Sequence, residues 1–319
     1  MKSFKIGLST LFLSLAASMS LYAFDLSLGD GEKSLGIKTT HNVDEPFGKP
    51  LPWGPTSARF SGNSLWVADT LKNRIVEYDP NGTYKNAITL KMPSYSTIGD
   101  FCFGYFGDKK EKALFVCDDD NPIIYIFNSS GNIINQIGSL NTRTILMRPC
   151  RIEFYDGKIF VLDIGRSNIF EFNQYLNQGR AIVTYASNFT IENDTLIHIV
   201  EYKNKKAIEW YNLKSGKRDY YELDYPKDSE IDFVSINKDM AYIGEILFEE
   251  GASQAQYQII QVDNKQNLTR LNTNYPVSFM VRSFIKDKAG KLYQIKFDET
   301  KPNKLTIDQL PDNFKESEG

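Results

Sequence analysis

Five acids recur at one structural position in this 319-residue sequence. Asp69 closes the run SLWVAD, Asp118 closes ALFVCD, and Asp163 closes KIFVLD. Glu201 and Glu245 stand at the matching places in TLIHIVE and MAYIGE, and Lys296 stands at the sixth, in KLYQIK. Carboxylates gathered on one rim would draw a cation or a basic partner by their summed field. The same acids also have a plainer chemistry. An Asp at a strand end accepts hydrogen bonds from the N–H groups of the turn beside it, which accounts for the pattern without a ligand. Asp118-Asp119-Asp120 has the acids of a calcium loop but lacks its alternating spacing and its glycine.

The elements that must position these acids are strands. Aromatics make up 13% of the chain, with 18 Tyr and 21 Phe, a composition suited to pleated, half-buried surfaces. The stretch SLWVADTLKNRIVEYDPNGTYKNAI holds an apolar run, a polar turn, a second run, the turn signal Asp79-Pro80-Asn81-Gly82 and a third run. ALFVCDDDNPIIYIFNSSGNIINQI, from Ala113, and KIFVLDIGRSNIFEFNQYLNQGRAI, from Lys158, repeat the plan. One more strand precedes each copy, closing on Phe60, Phe106 and Phe154. Fainter copies begin at Thr195, Met240 and Lys291. Four strands in a period of about 45 residues is the signature of a β-propeller blade.

The best copy, GPTSARFSGNSLWVADTLKNRIVEYDPNG, resembles the NHL repeat, with its Gly-Pro, its VAD run, its Asn-Arg-Ile and its glycine turn. Copies two and three match in part, and copies four to six keep only the strand pattern. The resemblance implies an all-β, six-bladed propeller of four-stranded antiparallel blades. The expected blades span residues 55–91, 92–140, 141–185, 186–226, 227–273 and 274–310, with a polar tail at 311–319. Blade six lacks a fourth strand, and the segment FDLSLGDGEKSLGIK, within residues 24–54, is expected to supply it and close the ring. Closure also removes two open sheet edges.

Residues 1–23 read as an address: Lys2 and Lys5, an apolar stretch, and a small exit residue at Ala23. We expect a cleaved, bacterial-type signal peptide and a periplasmic or secreted protein that does not span the membrane afterwards. A retained membrane anchor is the alternative. Loss of Lys2 and Lys5 takes the formal charge from −3 to −5, unfavourable for nucleic acid, whose phosphates need a basic face.

Loops on a rigid scaffold commonly carry binding function. The candidates lie on the face that bears the acids: the loops at residues 39–55 and 249–256, and the channel mouth. The candidate ligand or partner residues are His41, Trp53, Asp118, Asp119, Arg148, Arg151, Asp163, Glu201, Glu245, Glu249 and Glu250. Packing on the rim is an equal role for Trp53, and Arg74 is expected to pair with a nearby Asp or to cover the neighbouring blade.

Enzyme readings find little support in the sequence. Lyase-type propellers use histidines, and this chain has two, His41 and His198, the second inside an apolar strand. Lactonase-type propellers hold calcium with a Glu in a Glu-Gly-Pro opening, where this chain has Trp53-Gly54-Pro55. A Gly-x-Ser-x-Gly elbow is absent. No cofactor is expected. Cys102 and Cys117 flank the turn at residues 107–110 and could form a disulfide across it in an oxidising compartment, with three buried free thiols as the alternative. The leading expectation is a non-catalytic binding or assembly module for another protein or a cell-envelope component, a small molecule being possible. The rival is a lyase- or lactonase-type enzyme with a degenerate metal site.

Overall fold

The computed structural model describes residues 23–39, 52–138, 145–173, 178–203, 205–223, 230–237, 240–247, 256–262, 268–273, 280–297, 301 and 303–311. These residues form four-stranded antiparallel blades in a propeller arrangement. Five four-stranded sheets each use four consecutive strands. Sheet one runs Ser57–Ser61, Ser64–Asp69, Arg74–Tyr78 and Tyr84–Thr89. Sheets two to five follow the same order, their first strands being Ile98–Phe106, Pro149–Tyr155, Phe189–Glu192 and Glu230–Asn237. A further sheet is composite. Phe284–Lys286, Leu292–Phe297 and Lys304–Gln309 come from the C-terminal end, and Ala23–Ser27 adds the outer strand, antiparallel to Lys304–Gln309.

The strands read as nearly continuous apolar runs because each sheet is covered on both faces. In Ser64–Asp69 five of six residues are buried, whereas the outermost strand Tyr84–Thr89 has none fully buried. One apolar cluster fills each space between neighbouring sheets. Ala68, Ile75, Phe101 and Val116 lie between sheets one and two, and Phe115, Ile152 and Phe170 between two and three. The same holds around the circle to Leu26, Val67, Ile295 and Ile307, which join the composite sheet to sheet one. Packing of sheet on sheet is the main source of cohesion in such repeats.

The turns follow their sequence signals. Asp79 Oδ1 accepts the N–H groups of Asn81 and Thr83 at 2.9 and 2.8 Å, while Gly82 supplies the left-handed residue at φ 80°. Asn128 with Gly131, and Asp287 with Gly290, repeat this device. It couples a side-chain acceptor to the residue type that adopts positive φ at no steric cost.

Where the first strands meet at the axis, charge replaces apolar packing. Asp100, fully buried, accepts the Ser57 hydroxyl at 2.5 Å and the Ile152 N–H at 3.0 Å. Arg282 Nε approaches its Oδ2 at 2.9 Å and Arg59 Nη2 its Oδ1 at 3.2 Å. Both arginines also reach Glu153, at 2.7 and 3.1 Å, and the Ile152 carbonyl. Arg151 Nη2 donates to the Val281 carbonyl at 3.2 Å. Burial opposes the charge on Asp100, yet Arg282, Arg59, Ser57 and Ile152 together hold its carboxyl well below the usual range. This cluster ties sheets one, two, three and the composite sheet across the axis. Asp100→Asn removes the charge that both arginines face, so we expect it to destabilise the fold by about 3–5 kcal/mol, measured by urea unfolding.

Candidate functional site

Strands alternate in direction, so the end of each second strand and the start of each first strand share one face. The loops joining sheet to sheet, and those joining second to third strands, therefore lie together. On this face the acids have partners within the chain. Asp69 Oδ1 accepts the Gly36 N–H at 2.8 Å, and its Oδ2 faces Arg74 Nε at 2.8 Å. Asp118 Oδ1 accepts the N–H groups of Thr97 and Asp120 at 3.1 and 3.0 Å, and its Oδ2 accepts Asn121 Nδ2 at 2.8 Å. Asp163 accepts the N–H groups of Met147 and Arg148 at 2.7 and 2.8 Å. All three side chains are buried. Each fastens the segment that leads into its own sheet, and Asp118 also holds its own turn through Asp120 and Asn121, as the sequence suggests. The added partners arise because turn N–H groups alone do not fill two carboxylate oxygens.

Sheet four lacks this fastening among the described residues. Glu201 is exposed, opposite Lys206 in its ladder. Glu245 lies in the strand Met240–Leu247, opposite Gln258, but its side chain lies outside the described residues. Lys296 pairs with Asp308 at 2.5 Å. His41, Glu249 and Glu250 also lie outside the described residues, as do most of the two long loops. Trp53 is half-buried, in a short ladder where it pairs with Lys38. Arg148 and Asp119 are exposed on the loop face. Desolvation raises the Asp119 carboxyl, with Arg148 opposing and the neighbouring acids adding. Arg151 is buried, in the axial charge cluster rather than at a loop.

The cysteine expectation needs a correction in register. Phe106 pairs with Glu111, and Cys102 pairs with Phe115, not Cys117. The ladder is offset by two residues from the one that would set the two cysteines opposite each other, and an irregularity lies between Ile98 and Phe101. All three thiols are free. Burial pushes the Cys102 and Cys117 thiols up, and that of Cys150 up to about 11.

Two groups went unread in the sequence. Arg59, Asp100, Glu153 and Arg282 form the axial cluster. Their signal was a charge inside or beside an otherwise apolar first strand, as in SARFS and IGDF, since buried charges require partners. The second group is apolar. Tyr95, Ile145, Met147, Ile164 and Tyr185 are 67, 67, 58, 43 and 80% exposed, and all five lie in loops of the acid-bearing face. They are five of the nine large exposed apolar side chains among the described residues. The loops of Ile145, Met147, Ile164 and Tyr185 are joined by backbone bonds from Ile164 N to the Arg148 carbonyl and from Ala186 N to the Ser167 carbonyl. Tyr185 also holds φ at 61°, a conformation unfavourable for a bulky side chain.

His198, in the strand Thr195–Tyr202, is fully buried, as expected for a core residue. Its ring nitrogens meet the Ile199 carbonyl at 3.1 Å and Glu209 Oε2 at 2.5 Å. Glu209 also takes Arg218 Nη1 at 2.6 Å. Burial opposes ionisation of Glu209, but hydrogen bonds from His198, Tyr220 and Arg218 bring its carboxyl down to about 2. Among the described residues no group of three or more His, Cys, Asp or Glu is placed to hold a metal ion.

Two predictions follow from these partners. Asp163→Ala loses two charge-assisted bonds between a buried carboxylate and backbone N–H groups and should cost about 2–3 kcal/mol. Glu201→Ala, at an equivalent but exposed place, should stay within about 0.5 kcal/mol. Chemical denaturation distinguishes the two. A carboxyl depressed in the folded state stabilises above its unfolded pKa, and that stabilisation is lost as pH falls towards the folded value. Wild type should therefore lose more stability than Glu209→Gln between about pH 4.5 and 2, measured by thermal unfolding across that range.

No family model and no curated protein matches this chain. Solved structures do. A member of the DUF4221 family from Bacteroides vulgatus aligns with TM-score 0.55 at 14% identity, over 90% of this chain and 95% of that one. A gluconolactonase from Xanthomonas campestris aligns with TM-score 0.54 at 11% identity, over 90% and 97%. A Bacteroides fragilis protein designated as exported aligns with TM-score 0.53 at 9% identity, over 92% and 96%. At such identities the likeness is one of fold alone: this chain shares the β-propeller architecture of these proteins.

Proposed function

We propose that this protein is an exported, non-catalytic binding or assembly module that docks a partner protein through its loop face. We count the composite sheet as a full blade and read the ring as a six-bladed, NHL-like propeller. The observation that carries the reading is that Tyr95, Ile145, Met147, Ile164 and Tyr185, five of the nine large exposed apolar side chains among the described residues, lie on one face. Tyr and Met, with exposed Arg148 beside them, match the residue types enriched in protein interfaces. The strained backbone that holds Tyr185 out at 80% exposure supports the same face. Three of the five acids that looked like a cation ring, Asp69, Asp118 and Asp163, are engaged with the chain's own N–H groups, which weakens the metal-dependent alternative. The leader-like sequence supports export, and the B. fragilis neighbour carries an export designation.

The test is capture from the envelope fraction of the native host, comparing wild type with Met147→Ala/Tyr185→Ala. We expect the double variant to keep its thermal midpoint and to lose at least about tenfold in affinity for the protein that wild type retains. Equal retention by both would overturn the assignment of this face.

A further inference from the structure

Lys72 and Arg74 belong to the best-kept copy of the repeat, yet most of their partners lie outside it. Lys72 Nζ donates to the carbonyls of Gly29, Gly31 and Ser34 at 2.8, 2.8 and 2.7 Å. Arg74 donates from Nη1 to the Glu32 carbonyl at 2.6 Å and from Nη2 to the Ser34 carbonyl at 2.7 Å. With Asp69 on the Gly36 N–H, two cations and a carboxylate hold the backbone of residues 29–36. That segment directly follows the closing strand Ala23–Ser27. The third strands of sheets two and three begin with Ile124 and Asn168 where sheet one has Arg74. The NHL-like residues are thus best kept where they clasp the closing segment.

The closing strand is engaged from its first residues. Ala23 pairs with Asp308, and Phe24 with Ile307. Leu26, Leu28 and Leu35 are 1, 6 and 0% exposed in the core between the composite sheet and sheet one. The Phe24 ring packs so close to Gly82 that a Cβ on Gly82 would stand 2.5 Å from it. The bond between Ala23 and Phe24 therefore lies inside a hydrogen-bonded ladder. A peptidase cuts a chain that is locally open, so a bond in a formed ladder is cut only when that ladder opens.

We propose that the Ala23–Phe24 bond is the processing site of this chain, and that it is hydrolysed before the ring closes. Closure by residues 24–36 then follows as a late step, locked by Lys72 and Arg74. The inference rests on the export reading above. In the hydrolysis, the oxygen of water bonds to the Ala23 carbonyl carbon and the C–N bond breaks. Ala23 leaves with the leader as a carboxylate, and Phe24 keeps the protons as an ammonium. The new ammonium arises beside an open groove of 530 Å³ lined by Asp25, Asp308, Thr306 and three lysines. Asp308, opposite Ala23 in the ladder and already paired with Lys296, lies at this groove.

The test has two arms. N-terminal sequencing of the protein recovered from the envelope should read Phe24 first. A leader-bearing full chain, folded without export, is then given to a purified membrane leader peptidase in detergent. It should be cut at least about tenfold more slowly than an unstructured peptide spanning residues 1–36, and Lys72→Ala/Arg74→Ala should recover part of the rate. Equal rates for the folded chain and the peptide would overturn the order of steps, even if the double variant fails to fold. An exported protein that begins at Met1, or beyond Phe24, would overturn the site. Absence of the protein from the envelope would overturn the export reading instead, and this proposal with it.

Discussion

Asp100 is a carboxylate with no exposure, at the place where sheets one, two, three and the composite sheet meet. A bare charge there would cost far more than any single apolar contact returns. It persists because Ser57 and Arg59 from one strand, Ile152 from another and Arg282 from a third segment, far apart in sequence, meet on its two oxygens. Each of those contacts demands a particular rotation of its sheet about the axis. Apolar faces are tolerant of sliding, whereas a bidentate arginine is not. The inter-sheet cores supply most of the cohesion, and the axial cluster sets the register in which they pack.

The circle is uneven in how it is fastened. Sheets one to three each carry a buried Asp that anchors the incoming segment, at Gly36, Thr97 and Met147–Arg148. The fourth has an exposed Glu201 instead. The exposed apolar residues sit on the loops that the Asp residues hold: Met147 bonds Asp163 through its own N–H, and Tyr95 lies two residues before Thr97. A binding surface built from loops gains from such anchoring, because less entropy is lost on docking. The acids thus serve the face without being its contact residues.

Much of the fold was legible because its signals are local. Four-strand periodicity and Asp79-Pro80-Asn81-Gly82 appear where they were read, and the closing strand, expected within residues 24–54, begins one residue earlier, at Ala23. The site was legible in part. Asp69 and Arg74 do pair, but the carbonyls of Glu32 and Ser34, more than 35 residues away, could not be inferred from the repeat. The facing of Cys102 and Cys117 was misread because an offset of two residues in a hairpin leaves the apolar pattern unchanged while changing every partner.

By itself the sequence determined the strand plan, the turns and the repeat, since these depend on side-chain alternation and on the backbone preferences of Gly, Asn and Asp. Only the tertiary structure decided which charges meet at the axis and which N–H groups each Asp holds. It also gathered Tyr95, Ile145, Met147, Ile164 and Tyr185 onto one face. Those outcomes depend on how sheets rotate against one another, and that is set by contacts between residues tens to hundreds of positions apart. SLWVADTLKNRIVEY carries its own strand pattern, but the job of its Lys72 and Arg74 exists only once the closing segment has come round to meet them.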